Sequence, residues 1–281
     1  MIEPRKIEIK NHRIVGAAYV PTPNKGGALA NPSAIVMHDT AGASAASSVA
    51  WLVNPQAKAS AHVVIGRDGE LAQLAPFNVQ TWHAGRSVYR GRTGCNQFTI
   101  GIEHDNPGKL APGGRAWFGT VYSGYEQAET AEHGKGYWMP YTEAQLAASA
   151  GLVIALAAKY PSLRDVVGHW LVSPGRKVDT NPLFPMESML TALQGRGTPV
   201  AGGGASEIDN GPHGFVTVDG LNLRRWPTNN DNVLKVLPKG SRVDIERSGT
   251  YAEGFPPAMW HLVRAGGTSG WVHSAFVDER N

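Results

Sequence analysis

The chain has 281 residues, 42% hydrophobic and 17% charged, enough for one sizeable core plus a smaller module. Its net charge of +3 comes without a dense Lys/Arg run, which argues against nucleic acid and suits an anionic surface; no stretch approaches the ~20 apolar residues of a membrane span. One cysteine, Cys95, excludes an internal disulfide framework and a paired-cysteine metal site.

Residues Met1 to Lys10 alternate isoleucine with charge and are read as an edge strand. They contain no apolar h-region, so no secretory signal peptide is expected there. Ser33 to Gly42 follows as a buried strand, with His38 opening onto a loop, where sites on α/β sheets usually lie. Ala45 to Val53 reads as a short helix with Ser44 as N-cap and Pro55 closing it. Ser60 to Ile65 begins a strand at His62, and Trp82-His83-Ala84-Gly85 reads as a loop able to line a groove.

Phe98 to His104 is a β-branched strand that delivers Glu103 at its far end and turns His104 to the opposite face. Asn106 to Pro140, rich in glycine and aromatics without periodicity, reads as an inserted loop region that acts as a lid or shapes substrate choice. Thr142 to Lys159 is a helix: Thr142 and Gln145 form a capping-box pattern, Leu146, Ala150, Val153, Leu156 and Tyr160 recur at helical spacing, and Pro161 ends the run. Its apolar stripe is expected against the sheet.

The densest stretch is Val167 to Asp179. His169 ends an apolar run, Pro174-Gly175 turns the chain, and Lys177 and Asp179 stand two apart on the returning limb, facing one cleft if that limb is extended. Two imidazoles and a carboxylate around zinc would leave a fourth position for water, the catalytic pattern; His38 is the best upstream donor of the second imidazole. His12, His133, His213, His261 and His273 lie in polar or turn-rich contexts or in the C-terminal segment and receive no role. Asp179 before Thr-Asn-Pro would also serve as a plain turn starter.

From 195 to 214 the chain is glycine-rich and reads as a flexible linker. Beyond it, short alternating stretches at 216–218, 221–224, 233–237, 242–245 and 260–263, separated by turns, predict a small β-barrel.

The phrases VMHDTAG, SAHVVIGRDGELAQL, TWHAG, NQFTIGIE, YTEAQL and GHWLVSPGRKVDTNPLF, in that order over residues 30 to 190, resemble the zinc-dependent N-acetylmuramoyl-L-alanine amidases of the Amidase_2 group, which share a fold with phage T7-type lysozyme and the peptidoglycan recognition proteins. LNLRRWPT, LPKGSRVDI and SGWVHSAFV resemble a bacterial SH3-like domain. The resemblance implies an α/β fold with a central mixed β-sheet flanked by helices over residues 1–194, a linker at 195–214, and a cell-wall-binding all-β barrel at 215–281.

It further implies that His38, His169 and Asp179 bind Zn2+, that Glu103 is the general base, and that Lys177 stabilises the oxyanion. The substrate would be the amide between N-acetylmuramic acid and the L-alanine of the peptidoglycan stem peptide, with contacts from Thr40, His62, His83 and Asn96. The expected setting is a phage endolysin made in the cytoplasm and released through a holin pore; a delivered antibacterial effector and a recycling enzyme are the alternatives. Two further classes stand beside the enzyme: a non-catalytic peptidoglycan-binding protein on the same fold, and a partner protein that uses the groove for another polypeptide.

Overall fold

Buried apolar runs build the centre of the molecule. The computed structural model describes residues 2–130, 132–195, 212–224, 227, 233–251 and 258–280. The central sheet uses β1 (Ala18–Tyr19), β2 (Ala34–Asp39), β3 (Val63–Ile65), β4 (Leu71–Gln73), β5 (Thr99–His104) and, beyond the segment discussed below, a strand at Asp165–Gly168. Every residue of β2 is buried, as a strand covered on both faces requires. The order across the sheet is Asp165–Gly168, β2, β5, β3, β4, β1. The first four run parallel; β4 runs antiparallel to β3 and parallel to β1. It is a mixed α/β sheet.

Period-two alternation sorts β2 and β5 into two faces. Ile35, Met37, Ile100 and Ile102 enter a core cluster with Ala150, Val153, Leu156 and Tyr160. The other parity, Ala34 and Val36, joins Tyr89, Phe98 and Trp170 on the opposite side. Ala150, Val153 and Leu156 belong to a helix at Glu143–Lys159 that ends at Tyr160 and is capped at its start by Thr142 and Gln145 in the box the sequence predicts. The shorter helix, α1 (Ala45–Leu52), is capped by Ser44.

Two expectations for residues 1–140 need correction. The N-terminal segment is not an edge strand of the sheet: only Ile9–Lys10 pairs, in a small hairpin with Arg13–Ile14. Ile2, Ile7 and Ile9 pack on the core, and the Arg5 N–H donates to Ala147 O of the long helix. Residues 106–140 are not an irregular loop either. They contain β6 (Lys109–Leu110), β7 (Glu126–Thr130) and β8 (Gly134–Trp138) in an antiparallel sheet of order β6-β8-β7. Glycine-rich β8 lacks the β-branched residues that announce a strand; its pairing supplies what its composition does not. After it come α2 (Glu143–Lys159), β9 (Asp165–Gly168), α3 (His169–Val172) and α4 (Met186–Leu193).

The C-terminal part is a seven-stranded antiparallel sheet rather than five strands: β10 (His213–Val216), β11 (Leu221–Arg224), β12 (Val233–Leu237), β13 (Arg242–Tyr251), β14 (Ala258–Ala265), β15 (Thr268–His273) and β16 (Val277–Arg280). It has its own core around Leu223, Val243, Val263 and Val272. Most of the expected linker, 196–211, lies outside the described residues. The module does not stand wholly apart from the sheet. Trp260 and Trp271 are buried in the same apolar cluster as Tyr89, Phe98 and Trp170.

Close packing of the N-terminal segment on α2 turns an ordinary stabilising substitution around. A Cβ at Gly151 would stand 1.9 Å from the Arg5 carbonyl oxygen. Glycine-to-alanine in an open helix gains up to about 1 kcal/mol, but overpacking costs about 1–3 kcal/mol. Gly151→Ala is expected to lower the melting temperature by a few degrees, at about 2–4 °C per kcal/mol. A rise in a thermal melt would show that the N-terminal segment is not held there.

Candidate functional site

Parallel pairing brings three strand ends level. Glu103 of β5 is the register partner of His38 of β2, and Gly168 of β9 pairs with Met37, so His169 emerges one residue later beside His38. His38 and Glu103 share the face away from α2. All three stand at the carboxyl edge of parallel strands, where such sheets open their clefts.

The turn after α3 brings Asp179 back. Nδ1 of His38 lies 2.9 Å from Nδ1 of His169, and Asp179 Oδ2 lies 3.2 and 2.9 Å from these two nitrogens. Donor atoms about 2.0 Å from a common tetrahedral centre stand roughly 3.3 Å apart. Two imidazole nitrogens and a carboxylate oxygen at this spacing fit one small divalent cation, and the set suits zinc. Burial, with the neighbouring His169, lowers His38 to about 4. Burial alone would raise Asp179, but the electrostatic influence of the adjacent His169 and His38 outweighs it and holds the carboxyl well below the usual range.

Several contacts fix the Asp179 segment. Trp170 N–H donates to Asp179 O at 2.7 Å. Buried Asp39, next to His38, accepts the Asn181 N–H at 2.9 Å through Oδ2 and the Tyr141 hydroxyl through Oδ1. Burial raises Asp39 to about 8, opposed by the Tyr141 bond. From the inserted sheet, His133 Nε2 donates to Thr180 O at 2.7 Å. Sequence reading missed Asp39 and left His133 without a role. The His-Asp pair at a strand end was the available signal for the first; nothing local marked the second.

Glu103 and Lys177 line the same cleft as the three donors. Glu103 Oε2 is buried without a hydrogen-bond partner among the described residues. Desolvation, then the Asp179 and Asp39 charges, pushes this carboxyl well above its ordinary value, with Lys177 opposing. Thr40 also lines the cleft, as do two side chains not singled out from sequence, Trp51 and Lys109.

Three expected substrate contacts have other partners. His62 is fully buried: Nε2 donates to Val79 O at 2.9 Å, and Nδ1 accepts the Gly101 N–H and the Thr81 hydroxyl, each at 3.0 Å. Asn96 Oδ1 accepts the backbone N–H groups of His83 and Ala84 at 3.1 and 2.7 Å. His83 reaches the cleft wall, but its ring nitrogens bond His38 and Thr99. His104 faces α2 as expected: Nδ1 donates to His38 O and Nε2 accepts the Ser149 hydroxyl.

Comparison with known proteins fits this geometry. The family described as N-acetylmuramoyl-L-alanine amidase (Amidase_2) matches residues 28–182, from before His38 to beyond Asp179. The chain belongs to that family. A bacterial SH3 domain matches residues 219–278. The chain is 36% identical over 139 residues to the 1,6-anhydro-N-acetylmuramyl-L-alanine amidase AmpD of Salmonella typhimurium strain LT2, covering 48% of this chain and 59% of the relative. Over 126 residues it is 34% identical to the N-acetylmuramoyl-L-alanine amidase AmiD of Escherichia coli K12, covering 44% and 38%. The chain thus spans less than two thirds of either relative. Among solved structures, a selenomethionine AmpD derivative is 28% identical, covering 66% of this chain and 98% of that one, with a TM-score of 0.48.

The amidase domain carries a stability signature outside the three candidate donors. Desolvation lowers His62 and His104 to about 4 from an ordinary 6.5. An unfolded chain takes up these protons below 6.5, whereas the native protein resists until about 4. The contribution of these two histidines to native stability is therefore complete above pH 6.5 and lost as pH falls through that window, with a slope approaching roughly 1.4 kcal/mol per pH unit for each. Urea unfolding between pH 7 and 4.5 should show a falling midpoint, against the opposing gain from the raised Asp39 and Glu103 carboxyls; a flat or rising one would mean that these histidines do not set the balance.

Proposed function

We propose that this protein hydrolyses the amide between N-acetylmuramic acid and the L-alanine of the peptidoglycan stem peptide, with zinc held by His38, His169 and Asp179. The observation that carries this reading is the meeting of the three converging donor atoms with an unpartnered buried carboxyl, Glu103 Oε2, and the Lys177 ammonium in one cleft.

Zinc there would supply positive charge that polarises the scissile carbonyl and lowers the pKa of a water from about 16 towards about 7. Glu103 accepts a proton from the attacking water and passes it to the departing alanine nitrogen; its raised pKa suits a group that must hold that proton between the two steps. Lys177 presents its ammonium to the oxygen on which negative charge gathers. Asp39 and His133 keep the Asp179 segment in place without touching substrate. The exposed Trp51 and Trp82 line the cleft and offer aromatic faces for sugar stacking.

The C-terminal module supports a wall-bound substrate, since a bacterial SH3 domain beside an amidase would keep the enzyme on peptidoglycan; this favours the endolysin setting, with a delivered effector as the same chemistry in another context. The AmpD relatives carry the 1,6-anhydro sugar in their name, which favours soluble anhydro-muropeptides instead. No helix among the described residues is long and apolar enough to cross a membrane.

Mass spectrometry of purified sacculi separates these readings. Free stem peptides released from intact glycan strands, abolished by a chelator and restored by zinc, are expected; turnover confined to anhydro-muropeptides would select the recycling reading, and binding without release a non-catalytic protein. Glu103→Gln should retain stoichiometric zinc and lose about 10²- to 10⁴-fold in turnover. Loss of metal in that variant would make Glu103 a ligand. His169→Ala should lose both zinc and activity, and Lys177→Ala should keep zinc while turnover drops about 10²- to 10³-fold.

A further inference from the structure

His83 has no step in this chemistry, yet its ring stands directly behind His38. The two rings meet edge to face, with centroids 5.1 Å apart and planes at 86°. Nε2 of His38 lies 3.0 Å from Nδ1 of His83, and Nε2 of His83 lies 3.1 Å from Thr99 Oγ1. The Thr99 hydroxyl lies 2.7 Å from the Cys95 carbonyl oxygen.

The far end of this chain sets its direction. A carbonyl oxygen can only accept, so the Thr99 hydroxyl spends its one proton on Cys95 and accepts from the other side. His83 must then carry a proton on Nε2. A neutral imidazole has one ring proton, so His83 Nδ1 accepts, and the N–H facing it is on Nε2 of His38. That leaves the His38 Nδ1 lone pair directed at His169 and Asp179.

We propose that Thr99 and His83 form a relay that fixes the tautomer of His38 and keeps its Nδ1 available to the metal, an inference that rests on the zinc site proposed above. His83 is a positioning residue, not a substrate contact. A proton misplaced on Nδ1 would occupy the place the metal needs. Outer partners of metal-bound imidazoles typically change metal affinity about 10- to 100-fold.

The fold is shaped to hold the ring there. Thr99, Gly101 and Glu103 share one face of β5, and a Cβ at Gly101 would stand 2.4 Å from His83 Cγ. The missing side chain is the space the imidazole fills. Asn96 Oδ1 pins the backbone on both sides of the ring. The next residue serves the second imidazole: His169 Nε2 donates to Ala84 O at 3.2 Å, an oxygen that Arg176 Nη2 also engages at 2.6 Å. The Trp82–Gly85 segment thus backs both imidazoles of the site.

The test uses the full chain and reads metal and protons rather than turnover. Thr99→Val removes the hydroxyl that receives the His83 proton, whereas Thr99→Ser keeps it. By chelator competition, Thr99→Val should bind zinc about 10- to 100-fold more weakly, with Thr99→Ser close to wild type. Long-range proton–nitrogen NMR of the zinc-free wild type should show His83 protonated on Nε2, and Thr99→Val should shift that proton towards Nδ1.

Unchanged affinity in Thr99→Val, an equal loss in Thr99→Ser, or wild-type His83 protonated on Nδ1 would each overturn the relay. Should Thr99→Val fail to fold, the wild-type spectrum still decides. A wild type that binds no zinc would instead overturn the metal site, while the spectrum would still report the direction of the chain.

Discussion

Three polar atoms within 3.2 Å of one another, two of them on buried imidazoles, are costly to assemble without a cation between them. Much of the surrounding structure holds them there. The strands bring His38 and His169 level, but Asp179 lies on an irregular segment whose backbone groups need partners. Those partners come from four directions: Trp170 N–H, the Asp39 carboxyl, the Tyr141 hydroxyl behind it, and His133 across the inserted sheet. Each holds backbone or orientation and leaves the donor atoms free. Buried polar networks of this kind are stable only when every member is satisfied.

Strand parity then divides the chemistry. On β5, Ile100, Ile102 and His104 face the long helix while Thr99, Gly101 and Glu103 face the cleft, so one six-residue strand supplies core, relay and candidate base at once. Glu103 differs from its neighbours because nothing in the described structure occupies Oε2. A buried carboxyl so left is expensive structurally and is the natural position for a group that takes and returns a proton.

Much of this was legible in the sequence where the information is local. The capping box at Thr142 and Gln145 specifies a helix start by itself, and the apolar run before His38 specifies a buried strand. The three candidate donors could be singled out because each sits in a phrase with family character. What escaped depends on which faces meet. Gly134-Lys135-Gly136 becomes strand only because its neighbours pair with it, and residues 268–273 and 277–280 become strands of the C-terminal sheet in the same way. His83 looked like a groove residue because its loop does reach the cleft, but the direction of its ring is set by a glycine on another strand. His62 was misread for a related reason: a histidine that starts a strand can point inward, and this one meets two donors and a carbonyl there.

The sheet at residues 106–140 also bears on how this protein could be shortened. It reads as a decoration on a smaller enzyme, and an engineer seeking a minimal catalytic domain would trim it first. Yet Trp138 forms part of the cleft wall, Met139 O accepts from both Asn106 and Asn181, and His133 takes up the Thr180 carbonyl. A trimmed chain would keep its central sheet and long helix while the Asp179 segment lost its outer brace, so it would pass a folding assay and still lose the donor geometry proposed to hold zinc. In this architecture the removable-looking part is a retaining wall.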